Sequence, residues 1–392
     1  MKKHNIGIID INQHVPGVGG VETVGYLLKN ELTKNGYYVS NLFFTQKSEK
    51  SGTDIHFPCQ TRIDCKENIE FLNDAIEKHQ IEILIVQGGY KEELLKLCIE
   101  AKRYKKIKLI YPIHFHPLMV IKEFDDYQEK YIQERRNVLI RTTRRIICKF
   151  KRYLYTKKHM KFIKEDWRKP YLDNIDAITT LNNEYTRIVK SFHRKNSNKF
   201  HTIPNPIITD RQDGAIKKEN IILFVGRLTA QKRLDRILHI WSKLYAKNPE
   251  WKFVVVGDGE YAGKYKQQAQ ELQLENIEFV GQQISEEYFK RSRIICMASS
   301  HEAQPMVLIE AQLWGCVPIA YNSFEAATDI IQSGHNGLLV TPFKEKEYTK
   351  ALRALITDNE MRERLAYNGK EFIKKFDSKV IVKEWIRLFN NL

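Results

Sequence analysis

Two glutamates with seven residues between them, two cations and a set of glycine turns are the groups in this chain whose types and spacing could do chemistry. Glu302 and Glu310 bracket Ala303, Gln304, Pro305, Met306 and Val307, immediately after the apolar run Ile294–Ala298 gives way to small polar residues. Proline costs nothing at the start of a helix, where its missing N–H has no partner, so the spacing predicts a strand, a short loop and a helix beginning near Pro305. Glu302 then precedes the helix N-terminus and Glu310 lies about a turn and a half inside it. Free amides and the positive end of the helix dipole suit an anion there. Acids beside an anion site make sense if they face hydroxyls, and a sugar nucleotide offers both a diphosphate and hydroxyl-rich sugars. The same acids would also serve to cap or solvate an ordinary helix.

Further residues belong with this stretch. Arg227 and Lys232 follow the apolar run Ile221–Val225 through Gly226, where a diphosphate would meet a guanidinium fork and a point charge. Gly257, Asp258 and Gly281 stand at the ends of two more apolar runs, so glycine or small polar residues line a whole sheet edge. In the first half, Gly19 and Gly20 lie in a glycine loop between strand Asn5–Ile11 and a helical pattern. The third glycine of a dinucleotide fingerprint is replaced by Glu22, which leaves a phosphate-approaching loop or a simple tight turn. His114 directly follows the apolar run Ile107–Ile113. It could hydrogen-bond a substrate hydroxyl, or be satisfied by nearby backbone.

The elements that must position these residues alternate between strand and helix patterns. Strands are predicted at Asn5–Ile11, Val39–Phe44, Ile81–Val86, Ile107–Ile113 and Asp176–Leu181, then at Ile221–Val225, Trp251–Val256, Ile277–Val280, Arg293–Ala298 and Val317–Tyr321. Such alternation predicts parallel sheets covered on both faces, with ligands at the carboxyl ends of the strands. The 392 residues suffice for two domains of ordinary size, and 42% hydrophobic with 29% charged residues fits a globular protein. No apolar run approaches a membrane span. The six cysteines form no CxxC or Cys/His cluster, so reduced, mostly buried thiols are expected and a zinc site is not.

The net charge of +16 is concentrated in one place. Between 134 and 169, fourteen Lys or Arg stand against three acids, interleaved with apolar and aromatic residues. A basic amphipathic helix or helix pair lying on anionic lipid is the natural reading, with Arg144, Arg145, Lys149, Lys151 and Arg152 as its cations. A solvated helical face would look the same. A nucleic-acid patch has no reader motif beside it, so no nucleic-acid partner is expected.

The second half resembles the donor domain of retaining glycosyltransferases of family 4, of the bacterial surface-polysaccharide type, which have the GT-B fold. The matching residues are Asn205-Pro206, Phe224-Val225-Gly226-Arg227-Leu228 with Lys232, Val256-Gly257-Asp258-Gly259, the pair Glu302 and Glu310, Gly315–Ala320 and Gly334–Val340. Gly19-Gly20-Val21-Glu22 and His114 extend the similarity more loosely into the first half.

The resemblance implies two Rossmann-like α/β domains facing across a cleft: 1–205 for the acceptor, 206–375 for the donor, and 376–392 crossing back. It implies Arg227 and Lys232 on the diphosphate and Glu310 on ribose. Glu302 and His114 would sit by the transferred sugar, with the amides following Glu302 and the backbone of Gly19 and Gly20 also contacting the donor. No metal or other cofactor is implied, and no Asp-x-Asp occurs. The expected function is sugar transfer with retention from a nucleotide sugar to a saccharide acceptor. UDP is preferred only as the commoner donor. A lipid-linked acceptor of lipopolysaccharide, O-antigen or capsule assembly is expected, at the inner face of the plasma membrane. Ala303-Gln304 replaces the family's usual Gly-Phe, and Asn322–Ala326 replaces its Gly-Gly stretch, so sugar preference does not transfer. Other GT-B enzymes (a nucleotide-sugar epimerase, a phosphorylase) and a basic nucleic-acid-binding protein are the alternatives.

Overall fold

A computed structural model describes residues 3–15, 20–49, 52–88, 91–124, 138–167, 169–193, 198–210 and 217–392. It contains two all-parallel sheets. The first has seven strands: β1 Ile6–Asn12, β2 Val39–Thr45, β3 Asp54–His56, β4 Ile83–Val86, β5 Lys108–Ile113, β6 Ala177–Thr180 and β7 Phe200–Thr202, in the order β3-β2-β1-β4-β5-β6-β7. The second has six: β8 Ile221–Val225, β9 Lys252–Val256, β10 Ile277–Gly281, β11 Ile294–Met297, β12 Val317–Tyr321 and β13 Leu338–Val340, in the order β10-β9-β8-β11-β12-β13. The central strands, such as β4, β6, β8, β11 and β12, are buried along their whole length, as a parallel sheet between helical layers requires. The chain enters each sheet near its middle, builds outward on one side, then crosses to the other. The strand order therefore reverses between β1 and β4, and again between β8 and β11. Ligands of open α/β sheets bind at such switch points, beyond the carboxyl ends of the strands.

Strands β3, β7 and β13 escape the sequence reading because they are three-residue edge strands, too short for a periodic signal. The helices Asn183–Phe192, Ala262–Glu271 and Ser285–Arg291 also go beyond it.

The chain divides into two compact units, one formed by 1–117, 162–209 and 375–392 and the other by 118–161 and 210–374. In the first, the helix Ser378–Asn390 completes the core. Trp385 and Phe389 are buried with Ile6, Ile8, Leu28, Leu32 and Tyr37. Asp377 fixes the point of return: one carboxylate oxygen accepts from the Lys379 amide and the other from the amide and hydroxyl of Thr209. The basic segment behaves differently from its expected place in the first domain. It is a single 29-residue helix, Val138–Asp166, and most of it groups with the second unit. Phe124 stacks on Tyr155 with centroids 3.7 Å apart, and Lys122 pairs with Glu325 at 3.2 Å. No helix among the described residues is long and apolar enough to cross a membrane.

Candidate active site

The loops that follow β8, β9 and β11 converge at the switch point of the second unit. After β8, Gly226 leads to Arg227, which is exposed and has no acidic partner among the described residues. Lys232 runs back beside Gly226, its Cε 3.6 Å from where a Cβ on that glycine would lie. Its ammonium meets Glu302 Oε1 at 2.5 Å, and both side chains are largely buried. Around this pair the two loops are stitched together. Gln231 donates to the His301 carbonyl at 2.7 Å, and the amide and hydroxyl of Ser300 donate to the Gln231 carbonyl at 2.9 and 3.2 Å. The sequence indicates the cation and the acid but not that they touch.

Beyond Glu302, Gln304 and Pro305 are buried, and Ala303 is half-buried. Pro305 is the N-cap of helix Met306–Leu313, with no side-chain cap, so the amides of Met306 and Val307 are the helix's forward-facing donors. Glu310 is half-buried within that helix and hydrogen-bonded or paired inside the protein. Two further polar groups at this edge went unselected. The hydroxyls of Thr229 and Ser299 are buried and without a hydrogen-bond partner, and buried polar groups ordinarily find one.

The glycines divide by what demands them. A Cβ on Gly257 would lie 2.0 Å from the carbonyl oxygen of Gly226, and the residue has φ +129°. What comes close to its backbone is thus the neighbouring loop, locked by Leu228 N–H to Asp258 O at 2.9 Å. Asp258 is exposed, and its carboxylate accepts from the Gly259 amide at 2.7 Å. Gly281 has open space around its Cβ position and φ +72°.

In the first unit, Gly20 opens the helix Gly20–Lys34, is exposed, and has nothing among the described residues within 4 Å of its Cβ position. Gly19 lies outside the described residues, as does the side chain of Arg145. His114 lies between two amides: Nδ1 is 3.1 Å from Asn205 Oδ1, and Nε2 is bonded to Gln87. Burial pushes its pKa down to about 4, against smaller upward pulls from Asp10 and the Asn205 hydrogen bond. A neutral ring donates through one nitrogen only. The Gln87 amide nitrogen is buried without a partner, so turning that amide lets it donate to Nε2 while Nδ1–H donates to Asn205.

The reading of residues overlooked a second histidine. His14 is buried, with Nδ1 2.8 Å from Asn41 Oδ1 and Nε2 3.2 Å from Asp10 Oδ2. Asn41 continues to Asp54 at 3.2 Å, which pairs with Lys29 at 3.0 Å. His14 sits in a polar loop with no flanking signal, and only folding brings Asn41 and Asp54 to it.

The cysteines are mostly buried, as expected. Cys98, Cys148, Cys296 and Cys316 are buried, whereas Cys59 and Cys65 are half-exposed. Their sulfurs gather with a Glu67 oxygen within 4.8 Å of one another, a cluster hidden by the five intervening residues.

Of the expected lipid-facing cations, Lys149, Lys151 and Arg152 are exposed on the long helix and Arg144 is half-buried. They lie away from the loops described above in sequence and on a separate element.

Two Rossmann-like parallel sheets in one chain, each with its switch point, define the GT-B fold. Residues 207–372 match the family described as Glycosyl transferases group 1. The chain is 30% identical over 181 residues to a Campylobacter jejuni alpha-1,4-N-acetyl-D-galactosaminyltransferase whose name specifies a PP-undecaprenol-linked glycan, covering 45% of this chain and 49% of that one. It is 31% identical over 206 residues to the amylovoran biosynthesis glycosyltransferase AmsD of Erwinia amylovora, covering 52% and 54%. The chain thus spans about half the length of these curated relatives. Among solved structures, Anabaena Alr3699/HepE in complex with UDP and glucose superimposes with a TM-score of 0.72 at 13% identity, over 99% of this chain and 100% of that one.

Proposed function

We propose that this chain is a retaining, metal-independent glycosyltransferase of the family 4 type, moving a sugar from a nucleotide donor, UDP-linked by preference, to a saccharide acceptor. The observation that carries the proposal is the switch point of the second unit. There an exposed Arg227 and the Lys232–Glu302 pair stand beside an uncapped helix N-terminus. As the glycosidic bond to the diphosphate breaks, negative charge grows on the leaving oxygen while the sugar becomes oxocarbenium-like. Fixed cations and helix amides stabilise the first, and a carboxylate beside the sugar stabilises the second. Glu310 is assigned to ribose, and the backbone of Gly20 to the donor.

The acceptor is proposed to be lipid-linked, in assembly of a bacterial envelope polysaccharide such as lipopolysaccharide, O-antigen or capsule. The enzyme would be cytoplasmic, held at the inner face of the plasma membrane by the helix Val138–Asp166. The names of the two relatives support this reading, as do the apolar side chains that helix exposes: Ile146, Phe150, Tyr153 and Leu154.

The test is thermal stabilisation by UDP-, GDP- and ADP-sugars, comparing wild type with an Arg227→Ala, Lys232→Ala variant. The increment on adding one donor should be lost in the variant. An equal increment in both proteins would remove the diphosphate assignment. Neutralising Arg144, Arg145, Lys149, Lys151 and Arg152 should release the protein from anionic vesicles, and unchanged vesicle binding would remove the membrane assignment.

A further inference from the structure

The second unit contains a hollow of about 740 Å³ between the segment following Pro117 and the helix Val138–Asp166, and no residue of the loops after β8, β9 and β11 is among its described lining residues. Among the described residues four cations line it, Lys122, Lys149, Arg152 and Lys157, against a single acid, Glu325. Leu118, Ile121 and Met160 add apolar surface. A concavity that combines apolar walls with converging charges of one sign suits an amphiphilic anion.

Its position relative to the apolar side chains narrows the ligand. Ile146, Phe150, Tyr153, Leu154 and Lys157 recur at helical spacing on one face, and the four uncharged ones are between 49% and 67% exposed. Tyr153 and Lys157 lie both on that face and in the lining of the hollow, so the hollow opens beside the face that would rest on lipid. A lipid can keep its chain among its neighbours while its charged end turns into the hollow. Glu325 adds a link to the donor unit. It belongs to the stretch after β12, at the carboxyl edge of the donor sheet, and holds Lys122 at 3.2 Å.

We propose that this hollow binds the phosphate end of the lipid that carries the acceptor glycan: a diphosphate or phosphate joined to an apolar chain, held by Lys149, Arg152, Lys157 and Lys122. This rests on the reading of the chain as a transferase with a lipid-linked acceptor, and specifies which residues hold the carrier. Cations spread over a helix surface would give only a general preference for anionic membranes. Cations gathered around a concavity recognise one headgroup.

The experiment uses the full chain with the donor site filled by UDP, so that a diphosphate probe is not captured there. Binding of farnesyl diphosphate, inorganic pyrophosphate and farnesol is titrated against three proteins. These are the wild type, a Lys149→Gln, Arg152→Gln variant, and a Lys158→Gln, Lys161→Gln variant that loses the same charge from the same helix outside the hollow. Farnesyl diphosphate should bind the wild type at least tenfold tighter than either fragment. The hollow variant should lose at least tenfold in affinity and the control less than twofold. Equal losses in both variants would reduce the effect to surface charge and overturn the proposal, as would no loss in either. Pyrophosphate binding as tightly as farnesyl diphosphate would make this a free-phosphate site, and farnesol binding as tightly would make it an apolar one. Either result also overturns it. Stabilisation by UDP, read separately on the same proteins, shows whether the transferase reading itself has failed.

Discussion

Replacing Glu302 with glutamine should weaken the fold and tighten nucleoside diphosphate binding at once. Lys232 and Glu302 are 2.5 Å apart, with side chains only 18% and 10% exposed. Removing one member of a fully buried pair costs about 3–5 kcal/mol. Glutamine keeps the shape and one acceptor oxygen, so a loss of about 2 kcal/mol is expected, a fall of about 4–8 °C in the melting of a unit this size. The carboxylate also competes with any diphosphate for the same ammonium. Without it, UDP should bind about tenfold tighter, a gain of about 1.4 kcal/mol, while sugar transfer is lost. Lys232→Met should do the reverse, leaving a bare carboxylate facing the phosphates and costing about 2–3 kcal/mol of affinity, on the order of 100-fold. Calorimetric titration of UDP into wild type, both single variants and the double variant completes the cycle. The two effects should depart from additivity by about 1 kcal/mol or more. If UDP affinity is the same in wild type and Glu302→Gln and survives Lys232→Met, the ion pair has no part in holding the diphosphate.

Other expectations follow from single distances. Gly257→Ala forces a Cβ to 2.0 Å from a backbone oxygen at φ +129°, so a loss of about 3 kcal/mol and of UDP binding is expected in melts and titrations. Gly20→Ala meets nothing among the described residues within 4 Å, so stability should stay level while donor affinity falls; an unchanged affinity would show that no ligand approaches there. Because burial lowers the His114 pKa to about 4, below the unfolded value of about 6.5, the unfolded chain binds more protons between those values. Stability is therefore full above pH 6.5 and lost as pH falls to 4, by up to about 3 kcal/mol, and His114→Gln should flatten that part of the curve in urea melts. Trp385→Ala should cost about 3–5 kcal/mol in denaturant melts of the first unit, since the indole is buried in its core.

Much of this was visible in the residues because parallel sheets write themselves as uninterrupted apolar runs. Ile221–Val225 and Val317–Tyr321 are strands with the bounds their composition predicts. Glycines and cations at strand ends mark the switch point because the chain must turn tightly there. The Lys232–Glu302 pair was not legible, since the partners are 70 residues apart and meet only when β8 and β11 lie side by side. The meaning of Gly257 was legible only in part: a glycine signals that backbone approaches, without saying whether a ligand or another loop does so. Nor does spacing along the chain bring Cys59 to Cys65, or His14 to Asn41. The loop and the neighbouring strand do that.

The contrast between the two switch points bears on how labour is divided. In the second unit the loops leave an exposed guanidinium, uncapped amides and two buried hydroxyls without partners, all able to receive a polar ligand. In the first unit the comparable groups largely satisfy one another, Asp10 and Asn41 through His14, and Asp54 through Lys29. That arrangement fixes geometry but offers a ligand little. His114 is the instructive case, because both of its ring nitrogens are occupied and its lowered pKa keeps it uncharged near neutral pH. It cannot stabilise an anion by charge, and it reaches a sugar hydroxyl only by giving up Gln87. Moving the Gln87 side chain away from the ring frees Nε2 and leaves intact the Asn205 bond that orients it. If the first unit contributes to the chemistry, Gln87 is therefore the side chain that must move, and removing it should change the sugar's fit before it changes the nucleotide's.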